Sequence, residues 1–157
     1  GIIIKLIGRL TMGAALNLYD QDFFAWTQEQ AKLIKEKNFD KLDLTNLIEE
    51  VESMGNQNKT ELRNRLAVLL MHLLKWKYQP ELKGNSWYLT IANQRSDIAD
   101  LIEDNQSLKH FLPELFARAY TRSVTKASIE TGIKKAAFPQ ESEWSIEQTL
   151  DEEFFPN

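Results

Sequence analysis

The sequence predicts an all-α fold: a bundle of about five helices with a central buried helix at about residues 57–78 and an extended C-terminal tail. Apolar residues recur every three or four positions over long stretches of the chain. Alternation of apolar and polar residues over the length of a strand is missing from the sequence. The chain has 157 residues, of which 43% are hydrophobic, and this size and composition support one core. We therefore expect a single helical domain over residues 1–157.

Two helices are predicted in the first third of the chain. The first begins at Asp20, whose carboxylate can cap the free amides of the first turn, and runs to about Lys37. Its inner stripe is predicted to contain Phe24, Thr27, Ala31 and Ile34, widened by Phe23, Trp26 and Leu33. The second begins near Asp43 and ends before Gly55, unless that glycine only kinks a longer helix. Its inner stripe is predicted to contain Leu44, Leu47, Val51 and Met54.

The third helix has the strongest apolar pattern. Its seam is spaced by four, three, four and three residues and consists of Leu62, Leu66, Leu69, Leu73 and Trp76. Residues 66–74 are apolar nearly all round the helix except for His72. The helix must stop by Gln79, because Pro80 disfavours helical backbone in the residue before it. We expect this helix to be the central, buried one.

Two more helices and a tail complete the predicted fold. Ser86 is expected to cap a fourth helix to about Asp104, and Ser107 a fifth that ends at Gly132, with Pro113 tolerated in its first turn. The fourth seam is predicted as Trp87, Ile91, Gln94, Ile98 and Leu101, and the fifth as Leu112, Leu115, Ala119 and Ala127. The tail, residues 133–157, carries a capping-box candidate at Ser145–Gln148 and two aromatic anchors, Phe138-Pro139 and Phe154-Phe155-Pro156. We expect the tail to pack on the bundle.

Charge is arranged in blocks along the chain, whose net charge is −4. Residues 20–54 carry four basic and nine acidic side chains, whereas residues 57–95 carry seven basic and two acidic ones. Residues 136–157 are acidic without a basic residue. Such alternation is typical of a bundle in which acidic and basic helices lie side by side. Nucleic-acid binding is not favoured, because acidic blocks flank the basic ones.

The first residues are predicted to be an added extension, although the stretch could instead add a strand or helix against the core or drive self-association. Gly1 is interpreted as a remnant of cloning and Met12 as an alternative start, which would make residues 1–11 an upstream extension. Their apolar run is interrupted by Lys5 and Arg9, so it is too short and too charged to span a bilayer. We expect no membrane span, and the lack of cysteine fits a cytoplasmic protein.

One polar cluster is predicted between the second, third and fourth helices. His72 lies on a flank of the third helix that should be buried, and a buried imidazole needs partners for both ring nitrogens. Glu50 and Gln94 are the expected partners. The candidates for this cluster are Glu50, His72, Lys75, Gln79, Gln94 and Arg95. It is interpreted as a core network that fixes helix register, with a general base or binding site as the alternative.

Other chemistry finds little support. Glu49 and Glu50 are adjacent and lack a Glu-x-x-His companion, so no metal or cofactor is predicted. No phosphate-binding glycine loop or nucleophile motif is present in the sequence. His110 is predicted to be a surface residue. A nucleic-acid surface, if there is one, would use Lys75, Lys77, Lys83, Arg95, Arg118 and Arg122 beside Trp76, Tyr78, Trp87 and Tyr88.

Motifs spread over residues 19–157 resemble the domain of unknown function family 29. The stretches that carry the resemblance are Tyr19 to Trp26, Leu47 to Glu50, His72 to Pro80, Ser86-Trp87, Thr90-Ile91, Gln94-Arg95, Ser107-Leu108, Glu130 to Gly132, Phe138-Pro139 and Phe154 to Pro156. The resemblance implies a helical, cytoplasmic bacterial protein of a mainly cyanobacterial family. It implies no catalytic residues.

Three functions remain open at this point. The leading hypothesis is a non-enzymatic helical protein that binds another protein or forms a homo-oligomer. A nucleic-acid-binding protein is the second, and a small-molecule-binding protein or enzyme centred on His72 is the third. The block charges, the aromatic anchors and the lack of a catalytic motif favour the first.

Overall fold

The computed structural model describes residues 17–157, and every regular element within them is helical. The all-α prediction is therefore confirmed. The chain forms two compact units, whose described parts are residues 17–53 and 54–157. The predictions made for residues 1–11 fall outside the described residues. The expectation of one domain over the whole chain stays a prediction.

The first unit contains α1 (Leu18–Gln21), α2 (Phe23–Lys35), a 3₁₀ turn (Phe39–Lys41) and the beginning of α3 (Leu44–Tyr78). Asn17 caps α1, and Asp22 caps α2 by accepting a hydrogen bond from the amide of Ala25. The prediction that a single helix begins at Asp20 was wrong. Asn17, Asp20 and Asp22 can all cap a helix, and the structure uses Asn17 and Asp22.

The predicted inner stripe of the first helix was also wrong except at Trp26, which is buried. The buried residues of α2 are Trp26 and Gln30, whereas Phe24 is 73% exposed. The predicted stripe residues Ala31 and Ile34 are exposed as well. Polar tethers explain the difference, since Trp26 Nε1 donates to Asp43 Oδ2 at 3.0 Å and the Asp43 amide donates to Gln30 Oε1 at 2.8 Å.

The helix α3 is continuous over 35 residues and passes through Gly55 without ending. A single glycine in a helix costs about 1 kcal/mol, which the flanking turns can offset. The predicted inner stripe near Gly55 was wrong: Leu44, Val51 and Met54 are exposed, and Leu47 is half-buried. The prediction of a central helix is confirmed by its later turns, where Leu62, Leu66, Leu69 and Leu73 have no exposed surface. As predicted, α3 ends before Gln79.

The second unit adds α4 (Asn85–Asp104), α5 (Leu112–Thr131) and α6 (Ile146–Leu150) to the end of α3, with 3₁₀ turns at Pro80–Leu82, Gln106–Phe111 and Lys135–Ala137. Ile91 and Ile98 of α4 and Ala119 and Ala127 of α5 are fully buried, as expected from their seams. Gly132 ends α5 in a left-handed conformation, with φ of 76°.

The predicted caps of α4 and α5 were wrong. The cap of α4 is Gly84, so Ser86 lies inside the helix. Residues around Ser107 form a 3₁₀ turn instead, and α5 begins only at Leu112. This start places Pro113 in the first turn, where the missing amide hydrogen costs nothing.

Aromatic side chains hold the tail against the core of the second unit. Phe138 and Trp144 are buried, and Phe154 and Phe155 pack against the same core while half-buried. Tyr120 donates a hydrogen bond to the carbonyl of Pro139 at 2.6 Å. The capping box at Ser145–Gln148 forms as predicted and begins α6.

Candidate functional site

The predicted polar residues have separate hydrogen-bond partners. In the first unit, the Glu50 carboxylate accepts a hydrogen bond from the Tyr19 hydroxyl. This bond is the main reason that the pKa of Tyr19 is raised to about 12, with burial and the charge of Glu50 adding to it. Tyr19 also packs edge-on against Trp26, with ring centroids 4.8 Å apart. Glu50 therefore serves a local contact that the sequence pattern did not indicate.

His72 is held by its own helix. Its Nδ1 lies 2.8 Å from the carbonyl oxygen of Val68, one turn earlier in α3. A carbonyl only accepts, so Nδ1 carries the proton and Nε2 is the acceptor in the neutral ring. Burial lowers the pKa of His72, as does nearby Lys75, while the bond to Val68 and the charge of Glu130 act in the opposite direction. The ring is consequently neutral at pH 7.

Gln94 does not orient this ring as expected. Its Oε1 accepts a hydrogen bond from Arg65 at 3.4 Å. Arg65 also forms ion pairs with Glu61 at 3.1 Å and Asp97 at 3.0 Å. A long guanidinium on the neighbouring helix therefore reaches Gln94, and the imidazole uses the carbonyl nearest to it.

Lys75 is a buried cation with two partners. The ammonium lies 3.7 Å from Glu130 and 4.7 Å from the centre of the Trp87 ring. The carboxylate and the ring face together compensate the loss of water around the charge. Gln79 lies just beyond the end of α3, where its amide donates to the Lys75 carbonyl at 2.8 Å.

Arg95 anchors the tail rather than joining a cluster around His72. Its guanidinium donates to three main-chain carbonyls, those of Thr149 at 2.9 Å, Glu152 at 3.4 Å and Phe154 at 2.7 Å. The residue is 3% exposed, and this burial lowers the pKa of Arg95. The negative charges of Asp151 and Glu152 act in the opposite direction and raise the pKa. Arginine keeps its proton even so.

Most cations of the predicted nucleic-acid surface have internal partners. Lys77 pairs with Glu143, and Lys83 lies 5.1 Å from the centre of the Trp76 ring. Arg122 donates to Asn64 at 2.7 Å, and Arg118 lies 3.7 Å from Glu114. Of these partners, the Glu143 carboxylate offsets the charge of Lys77, whereas Arg122 and Lys83 contact neutral groups and the exposed pair of Arg118 is weak.

The beginning of α3 presents an apolar surface to solvent, where the sequence had predicted a buried stripe. Leu44, Ile48 and Val51 are each more than half exposed, and Leu47 is half-buried. At 100° per residue, these four side chains cover roughly 100° of the helix surface. We call this surface the α3 stripe. The sequence indicated its periodicity, but periodicity alone does not show whether another element covers a stripe.

Two features are absent from residues 17–157. No helix there is both long and apolar enough to cross a membrane. In the same residues, His, Cys, Asp and Glu side chains do not gather in groups of three or more that could hold a metal ion.

The fold and these contacts define an all-α protein with a helical second unit closed by an anchored tail. The sequence profile of the family described as "Domain of unknown function DUF29" matches residues 18–155. The chain belongs to this family. No curated protein and no solved structure matches the chain.

Proposed function

We propose that this chain is a non-enzymatic interaction protein that binds another protein through the α3 stripe. The single observation that carries the proposal is the exposure of Leu44, Ile48 and Val51, at 58%, 55% and 59%. Single exposed apolar residues are common on protein surfaces and need no explanation. Apolar residues at one helix face over two turns are a different case, because they form one continuous patch that water covers at a cost.

The charges around the stripe indicate the chemistry of the partner. Glu50 and Glu52 border the stripe within about 60° on its two sides. Glu49 is exposed on the same turns, and residues 42–58 contain no basic side chain. A complementary partner presents an apolar helix face flanked by lysine or arginine, since opposite charges at the rim favour encounter and register.

A second copy of the chain fits this surface less well. Two stripes that met face to face would bring Glu50 and Glu52 of both copies to the same interface. Like charges placed opposite one another oppose association. The partner proposed here is therefore a different, basic amphipathic helix.

Fluorescence anisotropy with two labelled helical peptides tests the proposal. Both peptides carry the same leucine stripe, flanked by lysine in one and by glutamate in the other. The lysine peptide should bind, and the double variant Ile48→Glu/Val51→Glu should weaken its binding at least about tenfold, because two carboxylates enter the apolar patch. The matched control is Leu89→Glu/Ile129→Glu, which changes two exposed apolar residues of the second unit.

Three results would contradict the proposal. Equal binding of both peptides would indicate contact without charge selection, and equal loss in both double variants would indicate a general effect of added charge. A dimer in light scattering that only the Ile48→Glu/Val51→Glu variant dissolves would assign the stripe to a second copy instead.

The two other hypotheses remain predictions without a specific observation in their favour. The cations of the nucleic-acid surface are largely paired within the second unit. His72 has its Nδ1 proton committed to the main chain, which leaves Nε2 alone for chemistry. A cytoplasmic address likewise remains an expectation.

A further inference from the structure

A small cavity lies between α3 and α5 in the second unit, with a volume of about 170 Å³. It is lined by Asn56, Lys59, Thr60 and Arg63 on α3 and by Phe111, Glu114, Leu115 and Arg118 at the start of α5. At roughly 30 Å³ per water molecule, this space holds a tetrahedral oxyanion together with a few waters.

The spacing of the lining residues explains why they meet. Both sets follow the pattern i, i+3, i+4 and i+7, which places four side chains on one face of a helix. Two such faces directed at each other bring these side chains around one space. The residues are about fifty positions apart in sequence, so neither set alone indicates a site.

Positive charge dominates the lining. Lys59, Arg63 and Arg118 contribute three cations, against the single carboxylate of Glu114. Glu114 pairs with Arg118 at 3.7 Å, but their side chains are 68% and 62% exposed, and such a pair is weak. Arg118 can therefore turn to a better acceptor at little cost. The Lys59 ammonium lies 3.7 Å from the centre of the Phe111 ring, which holds it beside the cavity.

One donor in this lining lacks an acceptor. The Nε of Arg63 is buried and has no hydrogen-bond partner among residues 17–157. Such a donor costs about 1–3 kcal/mol, so it is rare in folded proteins. Thr60 and Asn56 add a hydroxyl and an amide to the same lining. An anion with several oxygens would accept from the terminal nitrogens of the guanidinium, and from Nε once the side chain turns, together with these neutral donors.

We infer that this cavity is a binding site for a phosphate group. Guanidinium groups recognise tetrahedral oxyanions through paired N–H donors, and two arginines with a lysine suit a doubly charged anion better than a carboxylate. The cavity has room for the phosphate and a few waters, so a larger ligand would leave most of its structure outside. The site belongs to the second unit and does not depend on the function proposed for the α3 stripe.

Thermal unfolding and calorimetry with inorganic phosphate test this inference. Phosphate should raise the unfolding temperature above that in chloride of equal ionic strength. Arg63→Gln and Arg118→Gln should each weaken phosphate binding about tenfold, as expected for the loss of a charge-assisted hydrogen bond. Arg63→Lys keeps the charge but removes Nε, and it should also weaken binding. The control is Lys126→Gln, which removes an exposed cation of α5 outside the lining.

The outcomes separate specific binding from diffuse attraction. Absence of phosphate-dependent stabilisation at low salt would overturn the inference, and so would equal weakening by Arg63→Gln and Lys126→Gln. Circular dichroism of the unliganded variants establishes that each one folds. Glycerol phosphate and a nucleoside monophosphate identify the source: tighter binding than phosphate assigns a phosphate ester, and equal or weaker binding assigns the free anion.

Discussion

His72 forms its hydrogen bond, through Nδ1, within its own helix. Its ring donates to the Val68 carbonyl, an acceptor already engaged in α3 but with a second lone pair. The ring is half-buried, with Lys75 and Glu130 as its charged neighbours. This arrangement makes the neutral form the one that fits the folded state.

The lowered pKa of His72 predicts that folding weakens in acid. The ordinary pKa is 6.5, so below about this pH the unfolded chain binds a proton that the folded chain binds less readily. The contribution of His72 to the free energy of unfolding should therefore be fully present above pH 6.5. As the pH falls below 6.5, this group should lower the free energy of unfolding by at most about 1.4 kcal/mol per pH unit. Urea unfolding between about pH 7 and pH 5 measures the slope.

A pair of substitutions isolates the contribution of His72. His72→Asn keeps an N–H donor near the position of Nδ1 but does not titrate, so its slope should be shallower than that of the unmodified chain. His110→Asn is the matched control, because it removes the other histidine of the chain, which is exposed. Identical slopes in all three proteins would show that burial of His72 does not govern the acid response.

The sequence indicated the candidate polar residues but not their partners. Burial of His72 and Arg95 follows from helix periodicity, since both lie near apolar seams. Their acceptors are main-chain carbonyls, which every residue has, so no side-chain pattern marks them. The sequence also contained no sign that Arg63 Nε would lack a hydrogen-bond partner, because the cavity that Arg63 lines is formed by two helices far apart in sequence.

At the scale of elements, α3 shows the difference between a pattern and its environment. The same apolar spacing runs through both of its ends, yet Leu44 and Val51 are exposed while Leu62 and Leu66 are completely buried. Spacing decides which side chains share a face. Only the elements packed against that face decide whether water reaches it. Some predicted helix boundaries were wrong for a related reason, because several cap-forming residues competed for each of those helix starts.

Gly55 gives an element-scale prediction. It lies inside α3, and a Cβ added there would meet no atom within 4 Å. Gly55→Ala should therefore raise the free energy of unfolding by about 0.5–1 kcal/mol, because alanine loses less backbone entropy in a helix. Urea unfolding followed by circular dichroism measures it. Gly132→Ala should have the opposite effect, since its φ of 76° suits glycine. A destabilised Gly55→Ala variant would contradict a continuous α3.

At the scale of the molecule, apolar burial is uneven between the units. All members of the buried core cluster lie between Leu62 and Trp144, with Phe154 and Phe155 packed against them. In the described part of the first unit, Trp26 is the only apolar residue that is buried. Since burial of apolar surface is the main force of folding, the second unit holds most of the stability.

A fragment of residues 53–157 should consequently fold alone. Ser53 can cap the new beginning of α3, so the truncation leaves a natural helix start. We expect a cooperative urea transition with a free energy of unfolding of roughly 5 kcal/mol or more. A fragment that shows no cooperative transition would establish that residues before 53 are required and would favour the single domain predicted from composition.

The hydrogen bonds from Arg95 to the C-terminal tail determine which sequence changes this part of the protein can tolerate. Its three acceptors are main-chain oxygens, so an exchange of the outward-facing side chains at Asp151 or Glu152 leaves each of them in place. Insertion or deletion of one residue between Thr149 and Glu152 would instead displace the carbonyls of Glu152 and Phe154 relative to that of Thr149, so that the guanidinium could no longer reach all three. The hydrogen bonds of Arg95 should therefore depend on the length of residues 149–154 more than on the side chains at Asp151 and Glu152.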